Sequence, residues 1–312
     1  ENFSVEIIIV NNNSNDETAE VAISEWNKYN SPFHFSVVHE ATPGLIHARL
    51  CGVSQAANEI LIFCDDDNWL HENYISTAYE VMQQHPNVAV LGGKSEGRFE
   101  SSPPAWFNKF SGAYAIGNPL PHSGIANDKK YIAGAGMVMR KSFFKLLEEK
   151  KFQPILTGRM GQSIASGEDS ELCLMALYMG FDLYYDDRLF FYHFITAKRL
   201  SWKYCAQMKA KGHALPQVYF ALYDYCYQQI TAGKEIKTKE AFRRIWYKPY
   251  KVLGRNCKTL KGFFTTIRCL LFSVEGSSKE IDIKAQLNKL RYYFSNKKLI
   301  ASNLFKMENN LR

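Results

Sequence analysis

Short β-branched runs and longer mixed segments alternate along the opening third of the chain. Val5 to Val10 is apolar at nearly every position, as in a strand covered on both faces. It runs into Asn11-Asn12-Asn13-Ser14-Asn15-Asp16, a polar turn in which Ser14 or Asp16 is placed to cap a helix starting near Glu17. Phe35 to His39 predicts a second strand and Gly44 to Ala57 a helix. Glu59 to Cys64 predicts a third buried strand, which ends on three aspartates. This order predicts an α/β fold with a Rossmann-like, mostly parallel sheet and helices on both faces. Ligands of such sheets bind beyond the carboxyl ends of the strands, where Asn11 and Asp65 fall.

The pattern then loosens. Val88 to Gly93 and Ile132 to Met139 read as glycine-bearing strands, which let a ligand or another backbone come close. The long loop between them, with Pro103-Pro104, Pro119 and Pro121, is a candidate lid or acceptor-facing segment. Ser170 to Met179 predicts a helix opened by Gly167-Glu168-Asp169, and two strands follow at Leu183–Tyr185 and Leu189–His193. Beyond residue 198 the strand signal fades, and helices are predicted over Trp202–Lys211, Pro216–Thr231, Thr238–Tyr247 and Ile281–Phe294. Two units are therefore expected: 1–197, α/β, and 198–312, a basic helical C-terminal extension.

Charge sharpens that division. The 312 residues carry 38 Lys+Arg against 31 Asp+Glu, a net of +7. Residues 1–197 hold 14 basic and 24 acidic side chains, a net of −10, whereas 198–312 hold 24 and 7, a net of +17. An acidic binding body followed by a surface that meets something anionic is the expectation. Lys248, Lys251, Arg255, Lys258, Lys261 and Arg268 interleave with Trp246, Tyr247, Phe263, Phe264 and Leu270 to Phe272. That composition suits an anionic membrane surface, with a solvated helical face as the bland alternative. No RNP-like, zinc or helix-turn-helix pattern occurs, so nucleic acid is not an expected partner.

No run of eighteen apolar residues exists, and the first residues lack the basic-then-apolar pattern of a signal peptide. The seven cysteines show no C-x-x-C pair and read as thiols of a reducing compartment. A cytoplasmic location, either free or peripheral on the cytoplasmic membrane face, is expected.

Asp65-Asp66-Asp67 is the strongest local signal, because adjacent like charges repel unless a cation sits among them. Hard oxygen donors suit Mg2+ or Mn2+ with open positions for phosphate oxygens. A solvated acidic turn is the plain alternative, weakened by the buried strand that aims the triplet at the ligand edge. Gly167-Glu168-Asp169 sets two carboxylates at a helix N-terminus, where an aspartate serves as general base or simply as a cap. His193 closes an aromatic strand, and Arg49 lies on a helix from which it reaches a phosphate or solvent.

In order, these pieces resemble the family 2 inverting glycosyltransferases. The matching stretches are Ile7 to Thr18, Pro43-Gly44-Leu45 through Ala48-Arg49, Phe63 to Asn68, Gly167-Glu168-Asp169 and His193. The resemblance implies the GT-A fold over about residues 5–195 and transfer of a sugar from a nucleoside-diphosphate donor, with UDP favoured. It implies that Asp65 and Asp67 bind donor and metal (Mn2+ or Mg2+), with His193 a further metal ligand. By the same resemblance Arg49 approaches the nucleotide phosphates, Asp169 is the catalytic base, and Gly134 lines the sugar site. Asn11, Asp16, Asp66 and Glu168 complete the substrate-binding set.

The resemblance has two departures. Asn11 stands where the family has a base-contacting aspartate, and it brings a donor as well as an acceptor to the nucleobase. Nothing here matches the family's opening strand, so the chain is expected to begin at the second strand and to be weakly active or inactive in this form. The acceptor implied is a saccharide or a lipid-linked sugar in surface polysaccharide or glycolipid assembly. A module that binds nucleotide-sugar or polysaccharide without turnover is the alternative.

Overall fold

The computed structural model describes residues 3–30, 33–159 and 166–312. Its first elements are β1 (Glu6–Asn11), α1 (Thr18–Trp26), β2 (His34–His39), α2 (Leu45–Gln55), β3 (Ile60–Ile62) and β4 (Asn68–Leu70). Then come α3 (Tyr74–Gln84), β5 (Val88–Phe99), α4 (Phe107–Phe110), β6 (Gly124–Ile125), β7 (Val138–Arg140), α5 (Lys141–Glu149), α6 (Glu168–Tyr178) and β8 (Asp182–Ile195). Six helices follow: α7 (Trp202–Gln207), α8 (Pro216–Thr231), α9 (Thr238–Asn256), α10 (Leu260–Leu271), α11 (Ser278–Ser295) and α12 (Lys297–Leu311). The predicted alternation of strand and helix is present, with the helical extension after it.

The sheet is mixed. β1–β2 and β5–β8 are parallel, while β7 lies antiparallel between β3 and β5, and β4 and β6 lie antiparallel to β8. The long excursion after β5 contains no crossover helix of the βαβ kind, so the chain re-enters the sheet from the opposite end at β7. Successive residues face opposite layers. Leu91 and Val138 pack with Tyr74, Ala78 and Met82 of α3, while Val90 and Met139 pack with Phe143 of α5 and Leu172 of α6. Helices thus cover both faces.

β8 is one strand where two were predicted. Arg188 pairs with Asp186 at 2.9 Å and with Glu80 at 3.0 Å, which satisfies the charges in mid-strand. The β5–β8 register skips at Gly93, where a Cβ would stand 1.9 Å from the Leu189 carbonyl oxygen. Glycine permits that approach. The strand predicted over Ile132 to Met139 shrinks to β7, because Met137 N bonds back to Gly134 O and closes a turn.

β1 and β3 belong to separate sheets, and a cavity of about 1580 Å³ runs between them to the Asp65–Asp67 turn. Glu6 anchors β1 beside it by accepting from Ala57 N and Asn58 N at 2.8 and 2.9 Å. The extension shares the core: Tyr223 of α8 and Ile300 and Met307 of α12 lie in one apolar cluster with Leu61 and Leu172.

Candidate active site

The end of β3 delivers Asp65, Asp66 and Asp67 onto the cavity wall, where the turn is closed by Asn68 N donating to Asp65 O. β4 then pairs antiparallel to β8 with Asn68 opposite His193, and this register brings Asp67 to the histidine. His193 Nε2 stands 3.3 Å from Asp67 Oδ2, and Arg199 Nη1 stands 2.6 Å from the same oxygen. Burial alone would raise the Asp67 carboxyl, but the His193 and Arg199 contacts hold it below its ordinary range. Burial pushes Asp65 the other way, upward, with Arg49 opposing. Asp66 is exposed on the same wall.

A second group comes from α2 and the start of α6. Arg49 is 5% exposed, its guanidinium lies 5.5 Å from the Phe63 ring centroid, and its Nη1 is 3.4 Å from Glu168 Oε1. Burial, then the neighbouring Asp169, pushes the Glu168 carboxyl up to about 7. A Cβ on Gly134 would meet Arg49 Nη2 at 2.4 Å, so only glycine lets the guanidinium lie against that backbone. Gly134 N donates to Asp169 Oδ2 at 2.9 Å, and Ser170 N donates to Oδ1 at 2.6 Å. The Asp169 carboxylate is thereby fixed on the wall of the cavity that holds Arg49 and the three aspartates.

The N-terminal loop contributes differently from expectation. Asn11 turns its side chain back, accepting from Ser14 N at 2.9 Å, and it does not line the cavity. Asn12 does: it donates to Thr42 O at 2.7 Å and accepts from Gly44 N at 2.8 Å. Asp16 lines the mouth, lowered below the carboxylate range by the Thr18 hydroxyl and amide.

Residues 2–147 match the sequence model of glycosyl transferase family 2. That segment, just under half of the chain, is similar to the family. A 101-residue stretch is 25% identical to Glycosyltransferase GlyA of Streptococcus pneumoniae serotype 4 (strain ATCC BAA-334 / TIGR4). It covers 31% of this chain and 14% of that protein's length. Among solved structures, S. aureus TarS 1–349 in complex with UDP has a TM-score of 0.45 and 16% identity, over 93% of this chain and 82% of that one. GalNAc-T7 with UDP, GalNAc and Mn2+ has the same TM-score and identity, over 72% and 45%.

The divalent ion implied by the family 2 resemblance meets a smaller donor set than expected. Asp67 and His193 converge, and His193 Nδ1 is buried without a partner. Asp65 lines the same cavity, and the charges of Arg49, Asp67 and His193 all act on its carboxyl. Among the described residues no three His, Cys, Asp or Glu side chains gather as a metal-holding group. An ion that keeps waters and diphosphate oxygens needs only one or two protein ligands, so Asp67 and His193 fit it. Of the expected trio Asp65, Asp67 and His193, the last two are in direct contact.

Sequence reasoning missed Arg199, which sits in the 3-10 turn Ala197–Leu200 directly after β8. Its signal was its place, a basic residue just beyond the strand that carries His193. His213 was missed too. It lines the cavity from the extension, and burial followed by the charge of Lys209 pushes it down to about 4, so it is neutral there.

Proposed function

We propose that the protein is an inverting glycosyltransferase that moves a sugar from a nucleoside-diphosphate donor, of the UDP class, to an acceptor hydroxyl. The observation that carries this reading is the anchored carboxylate of Asp169, held by Gly134 N and Ser170 N in a cavity also lined by Arg49 and Arg199, cationic side chains that suit a diphosphate. Arg49, with Asp65 beside it, binds the donor phosphates and sugar. Arg199 offers a second guanidinium to the diphosphate. Asp67 and His193 would hold a divalent ion, Mn2+ or Mg2+, which supplies Lewis-acid neutralisation of the leaving diphosphate when bound.

Asp169 takes the proton of the acceptor hydroxyl as that oxygen attacks the anomeric carbon from the face opposite the leaving group. The C–O bond to the diphosphate breaks as the new glycosidic bond forms, and the configuration inverts. Asp16 and Asn12 border the donor end, while His213, Glu168 and Gly134 border the sugar and acceptor end. The acceptor in this reading is a saccharide or a lipid-linked sugar of surface polysaccharide or glycolipid assembly, met at a cytoplasmic membrane face. Residues 1–197 carry most of the donor chemistry, and 198–312, the helical extension, adds Arg199 to it and His213 to the acceptor side.

Asp169→Asn tests the base directly. It should abolish transfer because the amide is not basic, and UDP affinity should fall far less than turnover, since the amide oxygen keeps only one of the two backbone bonds that hold the side chain. A variant that retained more than a few per cent of the turnover would remove Asp169 from this role. Acceptor-dependent release of free UDP separates transfer from a module that only binds the donor.

A further inference from the structure

Outside the cavity, α10 turns its apolar side to solvent. Gly262, Thr266 and Cys269 form its buried side, while Leu260, Phe263, Phe264 and Leu271 are 44–76% exposed. Their spacing, i, i+3, i+4 and i+11, places them on one stripe opposite the packed side. Phe272 prolongs the stripe past the helix end and is 63% exposed. Stripes of this kind ordinarily face a core or a partner.

Positive charge surrounds the stripe. Eight basic residues and no acidic one stand between Glu240 and Glu275. Lys261 and Arg268 lie on its flank by helical spacing, and Arg255 and Lys258 lead into it from the end of α9. None of these four is in an ion pair among the described residues.

We propose that α10 and the end of α9 form a docking surface for a bilayer that carries anionic lipid. The apolar stripe lies at the headgroup–acyl boundary, and the basic side chains meet the lipid phosphates. Charge selects this occupant. A second copy of the chain on the same face would set these positive side chains against their own kind, whereas anionic headgroups neutralise them. An outward row of Phe and Leu has no counterpart on a nucleic-acid backbone. The proposal rests on the membrane-face placement given above and not on the transfer chemistry, so vesicle binding and turnover on a water-soluble acceptor are separate readouts.

The test is flotation of the full chain with vesicles of pure phosphatidylcholine and of phosphatidylcholine with 30% phosphatidylglycerol, roughly an anionic leaflet in composition. Binding should require the anionic lipid and weaken at high salt. Lys261→Gln with Arg268→Gln should lower the partition coefficient about 25-fold, at about fivefold per basic residue. Phe264→Glu with Leu271→Glu should abolish flotation with an unchanged circular-dichroism melt, because both side chains already face water. Equal flotation with both vesicle types, or none, would overturn the proposal. So would a concentration-dependent dimer that Phe264→Glu disrupts, or an oligonucleotide that displaces the protein from vesicles at equal charge.

Discussion

Arg199 reaches Asp67 across 132 positions of sequence and places Nη1 2.6 Å from Oδ2. The carboxylate suited to a divalent ion is thus already shared by a guanidinium and by His193. An incoming cation and Arg199 compete for one oxygen, and an incoming diphosphate offers Arg199 an alternative partner of the same charge. The two events support each other.

Arg199→Ala should therefore separate ion binding from turnover. Mn2+ affinity, read by water-proton relaxation without donor, should rise on the order of fivefold to tenfold as the competitor is removed. Turnover should fall by about 10²–10³-fold, the scale for losing one charge-stabilising group at a reacting centre. Unchanged or weaker Mn2+ binding would show that the pair does not compete with the ion.

Gly134→Ala concentrates its effect on geometry. The new methyl group would sit 2.4 Å from Arg49 Nη2, and Arg49 at 5% exposure has nowhere to retreat. Displacement of the guanidinium or of the Gly134–Asp169 bond by about 1 Å should lower kcat/KM roughly 10²-fold. Stability should change by less than Arg49→Ala changes it. Near-normal kcat/KM in the alanine variant would mean that neither group needs its observed position.

The features most legible in the sequence were those made by neighbours in the chain. A β-branched run ending in Asp65-Asp66-Asp67 announced both the strand and its ligand edge, and Gly167-Glu168-Asp169 announced a helix start with two carboxylates. Arg199 was hidden because its role arises from a strand register: Asn68 opposite His193 decides which side chains meet Asp67. Asn11 and Asn12 are alike in type, and only the loop's path decided which one closes its own turn and which faces the cavity. The parallel bias was over-read for a similar reason, since the direction of β7 follows from a long loop with no periodic signal. The basic extension was legible as charge, but its shared core with the sheet rests on Tyr223, Ile300 and Met307, whose partners lie far away in sequence.

The extension's own helices are tied together by Glu280, which is fully buried. It accepts from Val274 N at 2.6 Å, Trp202 Nε1 at 3.3 Å and Lys284 Nζ at 2.6 Å. Glu280→Ala leaves these donors unpaired and should cost about 3 kcal/mol in urea unfolding. Glu280→Gln retains one acceptor and should cost about half as much. Equal losses in the two variants would assign the effect to side-chain volume instead of to the carboxylate.

Glu171 makes the protein's stability depend on pH. Its carboxylate accepts from Tyr223 Oη at 2.5 Å, Leu156 N at 2.9 Å and Ile155 N at 3.0 Å. Burial outweighs these contacts and pushes the group from 4.5 up to about 7. The folded chain therefore keeps a proton that the unfolded chain has released across that interval. Stability from this group is complete below about pH 4.5 and is lost as pH rises through about 7, by on the order of 3 kcal/mol. Glu171→Gln mimics the protonated form, with its oxygen toward the two amides and its NH2 toward the Tyr223 hydroxyl oxygen. The Tm difference between variant and wild type should move in the variant's favour as pH rises from about 4.5 to about 7 and level off above that. A difference that stayed constant, or that moved toward wild type, would mean that Glu171 is charged in the folded core throughout that range.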